Sequence, residues 1–544
     1  MNDNAQARNR RFKWLIFPER KRQRIRRRRW SRSWLGELAS TWWRLVAAVA
    51  IVALLISLIP ALSWAVPRRS CRPGLAPSGD VWSKGGECVG ISEGEYAFNR
   101  PELRSVMRKL AAQNADAHDG SCGKRSRAVT VGALMTLTSR DAGGRAVHLL
   151  EGVVAAQARA NQDKSGCIHP VRVQVGQMGA DEQAATSVAK RMSDDVVAVV
   201  GMGLSDQRTA DAAKVFADRR IPMIGDVITA EGFDKNGSKD DRPDFGGCSD
   251  ANYKDGVGQG FFYRVAFRNG VQVEQLAQYF KSGRFNFIMT PTTTDDPYTC
   301  TTLPLLHRRF GNAQEVRFDP SDGGTVKQSA QRICNSKGAV NVFYAARARD
   351  LPRFLQTVAD ESANGQCQFS NITVASTSDA ARMRAQETDP SVESQRWKAL
   401  NSTTFKEGKV RLVYSTLADP DVLARTRSTA FGQLRKTFTD LGFQATHLDA
   451  GWAVNGHDGM FTIAAALNTV SAGQKVTPTQ VNTAIGGFAR GGRSVAAAGG
   501  NITFDNNGNR DDTSPVVVQL CPVKDARSPI THTAQVHPAT TRCP

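Results

Sequence analysis

At 544 residues the chain is too long for one compact core, so two or three folded units are expected. An apolar fraction of 41% and a charged fraction of 22% are ordinary for a globular protein, so composition alone excludes neither a binding module nor an enzyme. The net charge of +20 is uneven: residues 1–44 carry fourteen Lys/Arg against Asp3, Glu19 and Glu37, an excess of +11 that leaves +9 for the rest.

The first predicted element is therefore a basic tail, 1–44, with Arg26–Arg29 in a run. Leu45–Ala65 follows, without a charge in 21 residues. A helix of that length spans roughly 30 Å, the thickness of a bilayer core. Arginine on one side only predicts a single-pass anchor with a cytoplasmic N-terminus, and Trp42, Trp43 and Trp64 flank the span as an aromatic belt would. The competing reading is a signal peptide cleaved near Ala65, after the small residues Ser63 and Ala65, which would release a secreted protein. No fold or aromatic pattern accompanies the arginine run, so it reads as a topology signal, and no nucleic-acid partner is expected. A tail this short has anionic lipid as its natural contact. All ten cysteines lie after the apolar segment, which predicts disulfides in an oxidising compartment, with the pairing left open. No CxxC or HxxxH occurs, so no metal site is expected.

Residues 66–127 read as a juxtamembrane unit: a Pro-containing stalk (67–77), a short hairpin in GECVGISEGEYAF, and a helix over Pro101–Ala117 with Leu103, Val106 and Leu110 on one face. From Val129 to Asp226 the chain alternates VTVGALM, VRVQVGQ, VVAVVG and IPMIGD with helical segments, the pattern of parallel strands joined by crossovers. Such sheets bind ligands outside the carboxyl ends of their strands, where Gly201–Ser205 and Gly225–Thr229 fall. Phe233–Gly260 is a polar insertion, and FFYRVAF opens a second series. Strands are expected at Phe285–Met289, Glu315–Phe318, Val340–Tyr344, Ile372–Ser376 and Arg411–Tyr414, with helices between. Helices Arg427–Leu441, Ala450–Ser471 and Pro478–Ile485, a hairpin at GNITFDNNGNR and a disordered tail from Val523 complete the chain. The fold class expected is α/β, two doubly wound parallel sheets joined by a hinge. Lobe 1 covers about 128–262 with about 445–522, and lobe 2 about 263–444.

The pieces VTVGALMTLT, EGVVAAQARAN, VRVQVGQMGADEQAATSVAKRM, VVAVVGMGLSDQRTADAAKVFADRRIPMI, FFYRVAFRNGVQVEQLAQYF, GWAVNGHDGMFTIAAAL and GNITFDNNGNR, in this order, resemble a type I periplasmic solute-binding protein of the branched-chain amino-acid class. ECVGISEGEYAF resembles the leaders of membrane-anchored actinobacterial members. The resemblance implies two lobes closing on a small polar solute, without a cofactor, and a transporter permease or another envelope protein as partner. In the family the loop after the third strand holds the ligand carboxylate, which carries over to Gly203 and Ser205; Ser205 also reads as a helix cap. The next loop carries over to Val227 and Thr229, with Asp226 in place of a proline. In lobe 2 the family's stacking aromatic matches Tyr298, in a loop with Asp295 and Asp296; its other reading is a core aromatic. The family's ammonium-binding acid has Asp379 as its nearest counterpart. Arg140 and Arg347 near the cleft suggest an anionic ligand, against the plainer reading of surface arginines.

Three function classes follow. The first is a membrane-tethered extracytoplasmic receptor for a small solute. The second is a ligand-free module of this fold acting as a protein-interaction or sensory component. The third, an enzyme, is poorest: the eight histidines are scattered, and GVGQG (256–260) follows no strand, so it is not a dinucleotide fingerprint.

Overall fold

The computed structural model describes residues 71, 80–162, 167–235, 237, 256–281, 284–293, 296–523 and 531–543. The basic tail, the apolar segment 45–65, most of the stalk, most of the insertion, and Asp295 lie outside these residues. Among the described residues no helix is long and apolar enough to cross a membrane. Cys71–Pro544 forms one compact unit.

Its first sheet runs β1 (Val81–Lys84), β2 (Glu87–Ser92), β3 (Val129–Met135), β4 (Val171–Gln177), β5 (Ala198–Gly201), β6 (Met223–Gly225) and β7 (Phe262–Arg264), in the spatial order β1-β2-β4-β3-β5-β6-β7. From β4 to β7 the pairings are parallel. Nearly every residue of β3 and β4 is buried, because helices cover both faces. The second sheet takes β8 (Phe287–Pro291), β9 (Gln314–Phe318), β10 (Gly338–Tyr344), β11 (Phe369–Ser376) and β12 (Val410–Ser415). After a small hairpin, β13 (Val495–Ala496) and β14 (Asn501–Ile502), come β15 (Val517–Leu520) and β16 (Thr533–His537). The order is β16-β15-β12-β11-β10-β8-β9, with β15 and β16 antiparallel.

The helix Trp452–Leu467 returns to the first sheet and packs on the helix Arg145–Gln162. Glycine makes this contact possible: a Cβ on Gly152 would lie 1.9 Å from the Ala453 carbonyl oxygen, and one on Gly456 2.3 Å from that of Leu149. The two backbones touch at a distance no side chain allows.

Four expectations are corrected. The sheets are mixed rather than wholly parallel, since β2 and β15 join them antiparallel, and β15, expected with lobe 1, pairs with β12 in the second sheet. Residues 80–127 are not a separate unit. The hairpin turns at Gly85–Gly86, earlier than expected, and β2 pairs antiparallel with β4. Leu103, Val106 and Leu110 of the following helix join the core of the first lobe. The tail after Val523 is not without structure either. β16 pairs with β15, and Cys521–Cys543 closes the segment. The amide and hydroxyl of Thr533 donate hydrogen bonds to Asp421 and Asp419. Further disulfides join Cys71–Cys88, Cys122–Cys167 and Cys334–Cys367, and no described cysteine is free.

Candidate ligand cleft between the lobes

The strand orders locate the crevices. In the first sheet β3 lies between β4 and β5, so the connections after β3 and β5 leave in opposite directions. In the second, β8 lies between β9 and β10, so the connections after β8 and β10 diverge in the same way. Open α/β sheets bind ligands at such switch points. Here the two crevices face each other. A chamber of about 630 Å³ is lined by Ser139 and Asp141 after β3, Leu204 and Asp206 after β5, Asp296 and Pro297 after β8, and Arg347, Arg349 and Asp350 after β10. It continues, through Ser139, Asp141, Asp181 and Arg349, into a second space of about 980 Å³.

The inner end of the cleft is filled by the chain itself. Arg347 donates to the Ser205 carbonyl (2.6 Å) and to Asp296 Oδ1 (2.7 Å), and its guanidinium lies 5.1 Å over the Tyr298 ring. Burial opposes its charge, but Asp296, Asp141 and Asp379 together outweigh burial and raise its pKa. Asp379 accepts from Arg145 Nη2 (3.1 Å) and from the Ala348 amide (2.6 Å). Burial pushes its carboxyl up, yet Arg145 and Arg347 bring it below the usual range. Arg382 reaches from the second lobe to the carbonyls of Asp141 (2.6 Å) and Arg140 (2.9 Å), while Glu387 neutralises it. Arg145 also stacks on Trp452, 4.2 Å away. Three arginines thus hydrogen-bond across the gap between the two sheets.

The residues singled out from sequence are mostly closed off behind this seam. Ser205 is buried, and its hydroxyl accepts from the amides of Thr229 (3.1 Å) and Ala230 (3.2 Å). It does not cap the helix Gln207–Asp218; Asp206 does, through the Arg208 amide. Gly203 sits at φ +78°, where a Cβ would meet Met178 and Glu182 within 2.6 Å. Thr229 is buried, and its carbonyl accepts from the Asn269 amide. Val227 belongs to the apolar core.

Asp226 is fully buried, and a Cβ on Gly459 would lie 3.7 Å from its own, which places it against the helix Trp452–Leu467 rather than in the cleft. Burial raises its carboxyl well above the usual range. Tyr298 is buried at the start of the helix Pro297–Arg309, with its hydroxyl against Thr377; burial raises its pKa. None of these six lines either open space, whereas the exposed Arg140 lines the outer one. The anion suggested by Arg347 is already present as Asp296, so that hint lapses.

Glu182 and Asp206 were not among the residues singled out from sequence. Glu182 is buried beside the chamber and accepts from the Leu204 amide (2.9 Å) and the Thr209 hydroxyl. Burial, and then the like charge of Asp206, push it up to about 8. Burial raises Asp206 as well. The signal was available: an acid stands just after the strand in DAGG, GADEQ, LSDQ, TTDDP and ARARD. No cluster of His, Cys, Asp or Glu suited to a metal ion occurs among the described residues.

No family model matches the chain, and no curated protein does. Solved structures do. The branched-chain amino-acid substrate-binding protein LivJ from Streptococcus pneumoniae, in complex with isoleucine, aligns with 12% identity and a TM-score of 0.52, covering 75% of this chain and 100% of its own. A solute-binding protein of an ABC transporter from Rhodopseudomonas palustris, in complex with p-hydroxybenzoic acid, aligns with 13% identity and a TM-score of 0.52, covering 76% and 98%. At such identities the likeness is one of architecture. The chain has the two-lobed α/β fold found in type I periplasmic solute-binding proteins of ABC transporters.

Proposed function

We propose that the chain is a membrane-tethered extracytoplasmic receptor that binds a small polar solute in the chamber between its lobes. The observation that carries this reading is the chamber itself. Its walls come from the carboxyl ends of strands at the switch points of both sheets, and about 630 Å³ is the size of a small-molecule site. A ligand touching both lobes stabilises their closed arrangement by its differential affinity for it. The four disulfides described above fit an oxidising compartment. The apolar segment 45–65 behind an arginine-rich tail supports the anchor, and a permease or an envelope protein would be the partner.

A second reading has its own observation. The seam of Arg145, Arg347 and Arg382 holds the lobes together with the chain's own groups, as a ligand-free interaction module would require.

One measurement separates the two. The oxidised fragment 71–544, including the paired C-terminal strand, is screened by thermal unfolding against amino acids, amines and organic acids. A receptor gains about 2.7 kcal/mol at a hundredfold excess of solute over Kd. No shift across the panel sinks the receptor reading and favours the interaction module. Protease added to intact cells should remove the large domain; its survival would contradict the orientation.

A further inference from the structure

We propose that the solute of the chamber is a cation, an amine or guanidinium compound, held by carboxylates from both lobes; this rests on the receptor reading above. Six aspartates line the chamber against three arginines, and the seventh acid, Glu182, holds its proton up to about pH 8. Of the arginines, Arg347 is committed to Asp296, and Arg208 donates to the backbone carbonyl of Asp181. Arg349 lies near Asp350, which also has a loose contact, 3.6 Å, with Arg353. Asp141 and Asp211 line the chamber without a direct ion pair to any described guanidinium.

The inner wall also shows what this surface recognises. A guanidinium already sits there, that of Arg347, on a carboxylate (Asp296), a backbone carbonyl (Ser205) and an aromatic face (Tyr298). Carboxylate, carbonyl and ring face are the partners of a cation. Asp379 beside it likewise holds a guanidinium, that of Arg145. Asp141 and Asp211 from the first lobe, with the loosely held Asp350 from the second, continue the same chemistry into open space. The crowding of acids is visible in Asp206 and Glu182, both raised by burial, with Asp206 adding to the rise in Glu182. An anion entering here would meet this field unfavourably, and a cation would relieve it.

The test uses the full-length oxidised chain and calorimetric titration with agmatine and putrescine as cations, leucine as a zwitterion and 4-hydroxybenzoate as an anion. At least one cation is expected to bind, more weakly as salt rises. The double variant Asp141→Asn with Asp211→Asn should bind it at least tenfold more weakly, and Asp211→Asn alone should also bind it more weakly while retaining the wild-type unfolding midpoint without ligand. Binding of leucine or 4-hydroxybenzoate but of neither cation would overturn the cationic assignment and leave the receptor reading standing. Equal cation affinity in the double variant would also overturn it. Failure of every probe would overturn the cationic assignment, while the receptor reading would still be decided by the broader thermal panel.

Discussion

The inner seam and the outer chamber of the cleft are made from the same two kinds of side chain, arginine and carboxylate, and differ in how they are matched. In the seam, each arginine meets a carboxylate or carbonyl from elsewhere in the chain; the Arg145 and Arg382 side chains are nearly dry, 1% and 2% exposed, and Arg347, at the edge of the chamber, is 17% exposed. In the chamber the acids are in excess and in contact with solvent space. Matched charges at the seam serve closure, because removing one partner strands the other in a poorly polarisable interior. Unmatched charges at the chamber cost little while hydrated and remain free to act on a ligand. The contrast teaches that position along one cleft, rather than residue type, separates a structural charge from a recognising one.

The sharpest way to break this contrast is at the seam. Arg145→Met leaves Asp379 without its nearest guanidinium, and a loss of about 3–5 kcal/mol is expected in urea unfolding. A loss below about 1 kcal/mol would mean that the seam does not hold the lobes. Ser205→Ala comes next. Two buried amides, of Thr229 and Ala230, lose their acceptor, which should cost about 1–3 kcal/mol. If instead the variant were as stable as wild type but failed to bind solute, Ser205 would be a ligand contact, as the sequence suggested.

Glu182, at the boundary between the two regions, gives a pH signature. Its carboxyl is raised from 4.5 to about 8 in the folded chain, so the folded state holds the proton more tightly. The associated stability is present below about pH 4.5 and is lost as pH rises through about 8, with a slope of at most about 1.4 kcal/mol per pH unit. Glu182→Gln should flatten the stability–pH curve across that window; an unchanged curve would place its proton elsewhere. The smallest effect belongs to the chamber. Asp211→Asn should change stability by no more than about 0.5 kcal/mol, and a larger loss would make that acid structural.

Much of the fold was legible because alternation of strand and helix leaves a local trace. VTVGALM, VRVQVGQ and VVAVVG are mostly apolar since both faces of a parallel strand are covered. THTAQVH (531–537) gave no such trace. It becomes a strand through β15 and the Cys521–Cys543 bridge, both non-local to its pattern. A hairpin was expected at 86–98 and formed at 81–92, and nothing local said that its second strand would pair with β4, some 80 residues on. For the site, the loops were found and their occupants were not. Ser205 and Arg347 lie 142 residues apart, and Arg145 and Asp379 lie 234 apart, so whether each is free or engaged has no signature in either segment.

The sequence by itself determined the two α/β series and the loops at their strand ends, because side-chain periodicity and strand burial are short-range consequences of backbone geometry. Only the tertiary structure decided which charges in those loops are matched. Electrostatic pairing depends on distances of a few ångströms between segments far apart in the chain, and folding alone sets those distances.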